Sequence, residues 1–405
     1  MKVSKIIINL YTLLFLLVAF CGAEKMVVFG YTAELMALMG VLLLVGHFVS
    51  KKEFGASTNK APIFLFFLIL IFSIIDYMIW TIYPECTFSM VKRFVFYIPS
   101  FLVCISIDSI ERIINVSKLY MIAIAIGFII LYPVKGVNGS FLGSYQNVAG
   151  ALSVGLLFYS IDFLFKEKYE KKDIVKFLFI IGTLLMTGKR TFTVIPIVTM
   201  VVLTFCRIGN VTVKTKLRRL LKILIPAVAL GTIILVIKPD ILLAVSRLLE
   251  TTEDAGMNGR KNFWELALYL WSENKWLGIG LGTYQEFIAR NMEFMTLVFK
   301  IQAAYAAHNI YFQLLAEVGL IGMLLFVLFF VYNLFDIVKL TRNRFVKNNS
   351  KILKYAYLSL IIQIWFLVYG STGNPLYMVN QLYIYVFAIM INQAIRREII
   401  YSRKK

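Results

Sequence analysis

The chain has 405 residues, of which 60% are hydrophobic and 16% are charged, and its mean hydropathy is +0.80. This composition excludes a water-soluble domain, which would have too little interior to hide so much apolar surface. The formal net charge of +20 does not indicate nucleic-acid binding, because the basic residues lie in short loops between apolar runs. We therefore expect an all-α polytopic membrane protein, since a helix satisfies its own backbone hydrogen bonds in lipid.

Apolar runs long enough to cross a bilayer follow one another along the chain and predict about twelve transmembrane helices. Nine of these helices fall within residues 1–237 and three within residues 309–405, which end in a cytoplasmic tail. The predicted spans are 6–22, 26–48, 62–82, 93–109, 119–134, 147–165, 174–188, 191–208, 219–237, 309–338, 354–371 and 375–395.

Lysine and arginine are concentrated in every second connection between the predicted spans. Examples are Lys171 and Lys172, then Lys214 and Lys216, then Arg342. Short loops rich in Lys and Arg stay on the cytoplasmic side, so this bias predicts that both chain termini are cytoplasmic.

The long connection 238–308 then faces the opposite, extracytoplasmic side. It carries nearly equal numbers of acidic and basic residues and is too long to be a simple connector. Within it, Trp264 and Trp271 are seven residues apart and share one face of a predicted short amphipathic helix. Two interpretations remain open: this helix lies along the membrane interface, or it packs on the protein as a lid.

Two basic positions on the extracytoplasmic side are candidates for binding an anion. Lys189 and Arg190 occupy a minimal turn between two apolar helices, where the usual charge bias disfavours cations. Arg260 precedes the predicted loop helix, where a cation opposes the helix dipole unless an anion relieves it. The alternative is that all three are ordinary headgroup or solvent contacts. Arginine suits a phosphate because its planar fork bonds two oxygens at once.

His308 is the strongest candidate for a general base. The chain has two histidines; His47 lies at the cytoplasmic end of a span, whereas His308 lies on the extracytoplasmic side with the candidate cations. An imidazole with an ordinary pKa near 6.5 is largely neutral at pH 7 and can accept a proton. Asn309 either orients a ligand or caps the following helix.

The run Gly278-Ile279-Gly280-Leu281-Gly282 lacks the context of a nucleotide-binding loop. We interpret it as a tight reversal that lets two backbones approach closely. Acidic residues in or near spans, among them Asp76 and Glu317, are expected to bond within the helix bundle. No metal-ligand spacing occurs, and we predict no metal and no cofactor.

Taken together, these segments resemble the O-antigen ligase/polymerase superfamily (Wzy-type). The resemblance covers residues about 140–325. It rests on Gly259-Arg260, on Lys275–Tyr284, on His308-Asn309-x9-Gly319-x-x-Gly322, on Met186–Arg190 and on Tyr145-Gln146-Asn147. Gly188-Lys189 stands where a small hydroxyl residue is common, and Trp276 stands where proline is frequent.

The resemblance implies a glycosyltransferase at the outer face of a bacterial cytoplasmic membrane. Its donor would be an oligosaccharide on undecaprenyl diphosphate, with His308 as base, Arg190, Arg260 and Lys189 on the diphosphate, and Asn147 and Asn309 contributing to substrate binding. The resemblance allows two products, a longer lipid-linked polymer or a glycan moved to lipid A core. We expect a polysaccharide polymerase making capsule, exopolysaccharide or O-antigen, because a composition rich in Lys, Ile and Phe indicates a low-GC source, and many such bacteria lack lipid A. Its further partners would be membrane lipid and a chain-length regulator protein. The alternatives are an O-antigen ligase acting on lipid A core and, from another class, a flippase of lipid-linked sugars. We detect no related halves of the kind expected for a two-half transporter.

Overall fold

The computed structural model describes residues 2–135, 145–165, 170–205, 212–237 and 257–404. Within these ranges the chain is almost entirely helical, with a single two-stranded hairpin near its start. The fold class predicted from composition is therefore confirmed as all-α. Residues 238–256 of the predicted extracytoplasmic loop lie outside the described residues.

The helices fall into three groups along the chain. The first group is α1 (Lys2–Cys21), α2 (Leu35–Val49), α3 (Ala61–Ile79), α4 (Pro84–Leu102), α5 (Ile107–Lys135), α6 (Tyr145–Phe165), α7 (Lys171–Met186), α8 (Arg190–Phe205) and α9 (Val213–Ile237). The second group is α10 (Met257–Glu273), α11 (Tyr284–Arg290) and α12 (Met292–Phe299). The third group is α13 (Ile310–Arg342), α14 (Arg344–Asn348), α15 (Ser350–Gly370) and α16 (Val379–Lys404).

Each predicted span overlaps one long helix of the first or third group. By length and hydropathy, six helices in the described part of the chain could cross a membrane: Val3–Cys21, Ala61–Ile79, Ile107–Val134, Gln146–Phe165, Ile310–Arg342 and Ser350–Gly370. Leu35–Val49 and Arg190–Phe205 are apolar but shorter. The chain is thus a multi-pass membrane protein, and a total of twelve crossings stays a prediction.

The predicted second span is wrong at its beginning. Residues 26–34 are not helical; Lys25–Val28 and Tyr31–Glu34 form antiparallel strands β1 and β2 instead. The two residues between them, Phe29 and Gly30, both have positive φ, the geometry that joins paired strands by a two-residue turn. Hydropathy alone missed the hairpin because its strands are apolar enough to extend the following helix.

Contacts between distant segments follow the alternation of faces that the charge pattern predicts. At the face predicted to be cytoplasmic, Lys351 pairs with Asp108 at 2.8 Å, and Arg397 donates to the Lys52 carbonyl at 2.6 Å. At the other face, Arg290 pairs with Glu85 at 2.5 Å. In each of these three contacts, both partners belong to segments predicted to lie on the same side of the membrane.

Acidic residues in the spans bond within the bundle, as expected. Asp162 pairs with Lys118 and with Lys354, the latter at 3.3 Å. Asp336 accepts from Arg396 and from the Asn59 amide. These pairs neutralise acidic charge inside the bundle.

Helices α10, α11 and α12 form a cap with its own apolar core on the first half of α13. Phe263, Leu266, Ala267 and Leu270 of α10 are buried at the spacing of one helix face. They pack with Ile279, Tyr284, Ile288, Met295, Ile301, Ala307 and Ala316. Because the apolar face of α10 is buried against protein, the structure supports the packed lid over a helix lying in the membrane interface.

Helix α13 is interrupted at Gly319, whose φ of 59° and ψ of −164° are not helical. The break leaves the N–H groups of Leu320 and Ile321 without their usual acceptors, the carbonyls of Ala316 and Glu317. The glycine-rich turn bonds all four groups. Leu320 and Ile321 donate to the carbonyls of Lys275 and Trp276 at 2.9 and 3.1 Å, and Ile279 and Gly280 donate to the carbonyls of Ala316 and Glu317 at 3.1 and 2.8 Å.

Glycine is required where these two backbones touch. A Cβ on Gly278 would lie 2.3 Å from the Glu317 carbonyl carbon, and one on Gly319 would lie 2.4 Å from that of Trp276. Gly278, Gly280 and Gly282 also have positive φ. The interpretation of this run as a tight reversal is therefore confirmed.

We expect Gly278→Ala to destabilise the protein strongly. The left-handed backbone alone costs about 1–2 kcal/mol with a Cβ present, and the contact with Glu317 adds to it. Thermal unfolding of purified protein in detergent would measure the loss. Gly231→Ala in α9 is the matched control, because among the described residues no atom beyond the neighbouring backbone of α9 lies within 4 Å of its added Cβ. Equal midpoints for the two variants would contradict the close packing.

Candidate functional site

His308 lies at the end of the loop, immediately before α13, with a left-handed φ of 52°. A residue with a Cβ holds that conformation only where its surroundings impose it. Asn309 follows as the N-cap of α13, and its Oδ1 accepts from the N–H groups of Tyr311 at 3.0 Å and Phe312 at 3.3 Å. The capping interpretation of Asn309 is confirmed, and its oxygen is engaged by the helix.

The residue before His308 is held on both sides. The Trp264 indole donates to the Ala307 carbonyl at 2.9 Å, and the Ala307 N–H donates to Gln313 Oε1 at 3.1 Å. Both backbone groups of Ala307 are thus satisfied by side chains of α10 and α13. The cap and the bundle together fix the backbone position of His308, from which its imidazole extends.

We call the two hydrogen bonds that hold Ala307, from Trp264 and to Gln313, the clamp. Gln313 connects the clamp to the glycine-rich turn through Glu317, which is fully buried. Gln313 donates to Glu317 Oε1 at 2.9 Å, and the same carboxylate accepts from the N–H groups of Gly282 at 2.6 Å and Tyr284 at 3.0 Å. Glu317 is therefore not a partner of His308, as its position in the sequence predicted. It acts on His308 indirectly, through Gln313 and Ala307.

The segment between α15 and α16 joins the two halves of the site. Asn374 donates to Gln313 Oε1, and the Tyr377 hydroxyl donates to Glu317 Oε2 at 2.5 Å. Two residues before Asn374, the Thr372 hydroxyl donates to that of Thr191 at 3.2 Å. Since Thr191 follows Arg190 in the chain, the clamp around His308 and the start of α8 are tied to one segment.

The structure brings His308 together with two of the predicted cations. Burial lowers the pKa of the His308 imidazole, and the positive charges of Arg260 and then Lys189 lower it further. The pKa therefore lies below the ordinary value of 6.5, and the neutral form, which can accept a proton, predominates at pH 7.

Arg260 and Arg190 are both solvent-exposed at the first turns of helices. Arg260 lies inside α10, which begins at Met257, rather than before that helix as the sequence suggested. Arg190 is the first residue of α8. Among the described residues, neither guanidinium has an ion pair or hydrogen bond.

Asn147 lies in the first turn of α6 and packs against the end of α1. A Cβ on Gly22 would lie 2.6 Å from Asn147 Nδ2. One turn further along α6, Gly150 lies beside Phe192 of α8. The structure therefore puts Asn147 at the same end of the bundle as the start of α8, while a substrate contact for it stays a prediction.

An aromatic surface adjoins His308. The Phe263 ring lies 6.4 Å from the His308 ring and 6.4 Å from the Tyr305 ring, both edge to face. Tyr305 is exposed. A neutral imidazole beside an exposed aromatic ring and exposed arginines offers a proton acceptor, an apolar face and an anion site, which together suit a sugar attached to a diphosphate.

Sequence reasoning missed the residues that position His308. Gln313 and Glu317 are four apart on α13, a spacing from which their hydrogen bond was predictable. Thr372, Asn374 and Tyr377 are at least 55 residues further along the chain. Their part in the site depends on how α15 packs on α13 and α8. No local pattern reports that packing.

Comparison with protein families gives one match, and no curated protein matches the chain. The matching family model is described as O-antigen ligase and covers residues 175–327. It runs from α7 through the Lys189-Arg190 turn and the cap to the first half of α13, and so contains the cations, the glycine-rich turn and His308. The part of the chain that carries the candidate site thus matches the O-antigen ligase family, and the resemblance to the O-antigen ligase/polymerase superfamily is confirmed.

Proposed function

We propose that this protein is a polysaccharide polymerase of the bacterial cytoplasmic membrane. It would join undecaprenyl-diphosphate-linked oligosaccharide repeat units at the outer face, for capsule, exopolysaccharide or O-antigen synthesis. The observation that carries the proposal is a partly buried histidine, held in a left-handed conformation beside Arg260 and Lys189. Its position within the segment matching the O-antigen ligase family supports glycan transfer as the chemistry.

In the proposed reaction, neutral His308 removes the proton from the acceptor sugar hydroxyl. The oxygen attacks the anomeric carbon of the donor from the side opposite the diphosphate and inverts that carbon. The bond from the anomeric carbon to the diphosphate oxygen breaks, and the electron pair leaves with the lipid diphosphate. Arg190 and Arg260, with Lys189, stabilise the charge on that leaving group. No metal or cofactor has a step in this scheme.

Ligation is the second candidate, because the matching family model carries that description. The two activities share the donor and differ in the acceptor: another lipid-linked unit or lipid A core. A reconstituted reaction given lipid-linked units alone separates them, since a polymerase makes a ladder and a ligase makes nothing until lipid A core is added. Nothing in the family match supports transport of lipid-linked sugars.

We expect His308→Ala to fold and to lose about 10²–10⁴-fold in rate, the usual contribution of a general base. The readout is ladder formation by purified protein from lipid-linked repeat units. His47→Gln is the matched control, because His47 contacts the Phe54 carbonyl at 2.8 Å near the opposite face of the bundle. Unchanged polymer from His308→Ala would exclude the general-base role.

We expect Arg190→Lys and Arg260→Lys each to weaken transition-state binding by about 2–4 kcal/mol, as for loss of one preorganised donor. Lysine keeps the charge but lacks the bidentate fork. The measured quantity is the single-turnover rate with a lipid-linked donor, and Arg342→Lys at the far end of α13 serves as control. If all three variants react at the wild-type rate, the arginines act as point charges or do not touch the diphosphate.

Removing the Arg260 charge should raise the pKa of His308, because that charge disfavours the imidazolium. The acid limb of the rate profile, where His308 becomes protonated, should then move to higher pH in Arg260→Gln. In a His47→Gln background the chain has one histidine, so an NMR titration of labelled imidazole reads His308 directly. A pKa that stays fixed or falls in Arg260→Gln would show that the two side chains are not coupled.

A further inference from the structure

A basic pocket lies at the opposite end of the molecule from His308, between the C-terminal ends of α13 and α16. Its volume is about 220 Å³, and its lining includes Lys339, Leu340, Arg396, Ile399 and Arg403. We call these residues the basic pocket. It lies at the face that the charge pattern predicts to be cytoplasmic, and the proposed function does not use it.

The basic pocket carries more positive charge than its surroundings neutralise. Arg396 pairs with Asp336, which also accepts from the Asn59 amide at 3.2 Å. Lys339 and Arg403, at the rim, have no ion pair with any residue that the structure describes. The Nε of Arg396 is buried and has no hydrogen-bond acceptor within the described ranges. Two cations and one buried donor therefore face a space that an anionic group would fit.

The lining of the basic pocket also has an apolar part, beside the polar side chains of Thr58 and Asn343. Leu340 and Ile399 are buried there, and Ile400 is 40% exposed beside them. A phosphate ion surrounded by water gains nothing from the apolar part of the lining. A ligand with an anionic head and an apolar body satisfies both parts of the lining.

An exposed apolar stripe on α13 leads to Lys339. Leu324, Leu328, Val331 and Phe335 are 42–69% exposed and recur at the spacing of one helix face. Lys339 is the next position on that face, four residues after Phe335. At 1.5 Å per residue the stripe and Lys339 span about 22 Å, the length scale of one leaflet with its headgroup.

We propose that the basic pocket binds the headgroup of an anionic phospholipid. Its phosphate would contact Lys339 and Arg403, and one acyl chain would lie along the α13 stripe. Basic pockets between transmembrane helices are suited to acidic lipid headgroups, since juxtamembrane cations attract the charged leaflet surface. The inference is independent of the glycosyl-transfer chemistry.

The test compares lipid binding to the full-length chain by native mass spectrometry from detergent, with phosphatidylglycerol and phosphatidylcholine as probes. Wild type should retain phosphatidylglycerol in preference to phosphatidylcholine. Lys339→Gln/Arg403→Gln should bind phosphatidylglycerol roughly 30-fold more weakly, as expected for loss of two basic side chains near a headgroup. Both residues are exposed, and Lys339→Arg/Arg403→Lys should bind as wild type does, which guards against a folding defect.

The matched control is Arg344→Gln/Lys347→Gln on α14, which removes the same charge from the same face outside the basic pocket. An equal loss of binding in this control and in the pocket variant would show diffuse attraction and overturn the proposal. Inorganic phosphate is the second probe. Full displacement of phosphatidylglycerol by equimolar phosphate would also overturn it, because the site would then recognise the ion without the acyl chain.

Discussion

The arrangement of the site depends on the break in α13 at Gly319. An α-helix interrupted at one residue exposes two donors and two acceptors, and burying them unbonded would cost more than most single interactions contribute. The glycine-rich turn bonds all four groups and can reach them because Gly278 and Gly319 have no Cβ. The spacing from His308 to Gly319 is thus set by backbone hydrogen bonding as much as by chemistry at the histidine.

Hydrogen bonds between polar side chains connect this junction to the backbone next to His308. Glu317, next to the break, bonds two N–H groups of the turn, and Gln313 links that carboxylate to the backbone of Ala307. Buried networks of this kind define a geometry firmly only when their members are bonded, since a half-satisfied buried carboxylate is costly. Glu317 meets that condition with four donors.

Positive charge has separate uses at the two ends of the molecule. At the end with His308, burial and then the charges of Arg260 and Lys189 lower the pKa of the imidazole. Arg190 and Arg260 have no ion pair among the described residues, which suits an anionic donor. At the other end, the Lys and Arg of short loops meet acids from neighbouring helices, as in the pair of Lys351 with Asp108. The formal charge of +20 therefore combines a topological signal with an electrostatic one.

The sequence was sufficient for features that depend on composition, periodicity or a short spacing. Hydropathy located the long helices, the run of glycines indicated a close approach, and His308 with Arg260 and Lys189 stood out by residue type. It was insufficient at 26–34, where strand and helix are equally apolar and the Phe29-Gly30 turn decides between them. It also missed Asn374 and Thr372, because their roles arise from contacts between α15, α13 and α8 that no local pattern encodes.

The break in α13 has a mechanical consequence. The half of the helix before Gly319 packs with the cap core through Ala316 and with the bundle through Ile310, Leu314 and Val318, whereas the half after it packs in the bundle alone. The turn 275–280 makes two backbone hydrogen bonds on each side of the break, so a hinge motion at Gly319 would have to separate at least the two on one side. If the site opens to admit a large glycan, we expect this junction to stay intact. The segments that move would be those that are not held to α13 by backbone hydrogen bonds.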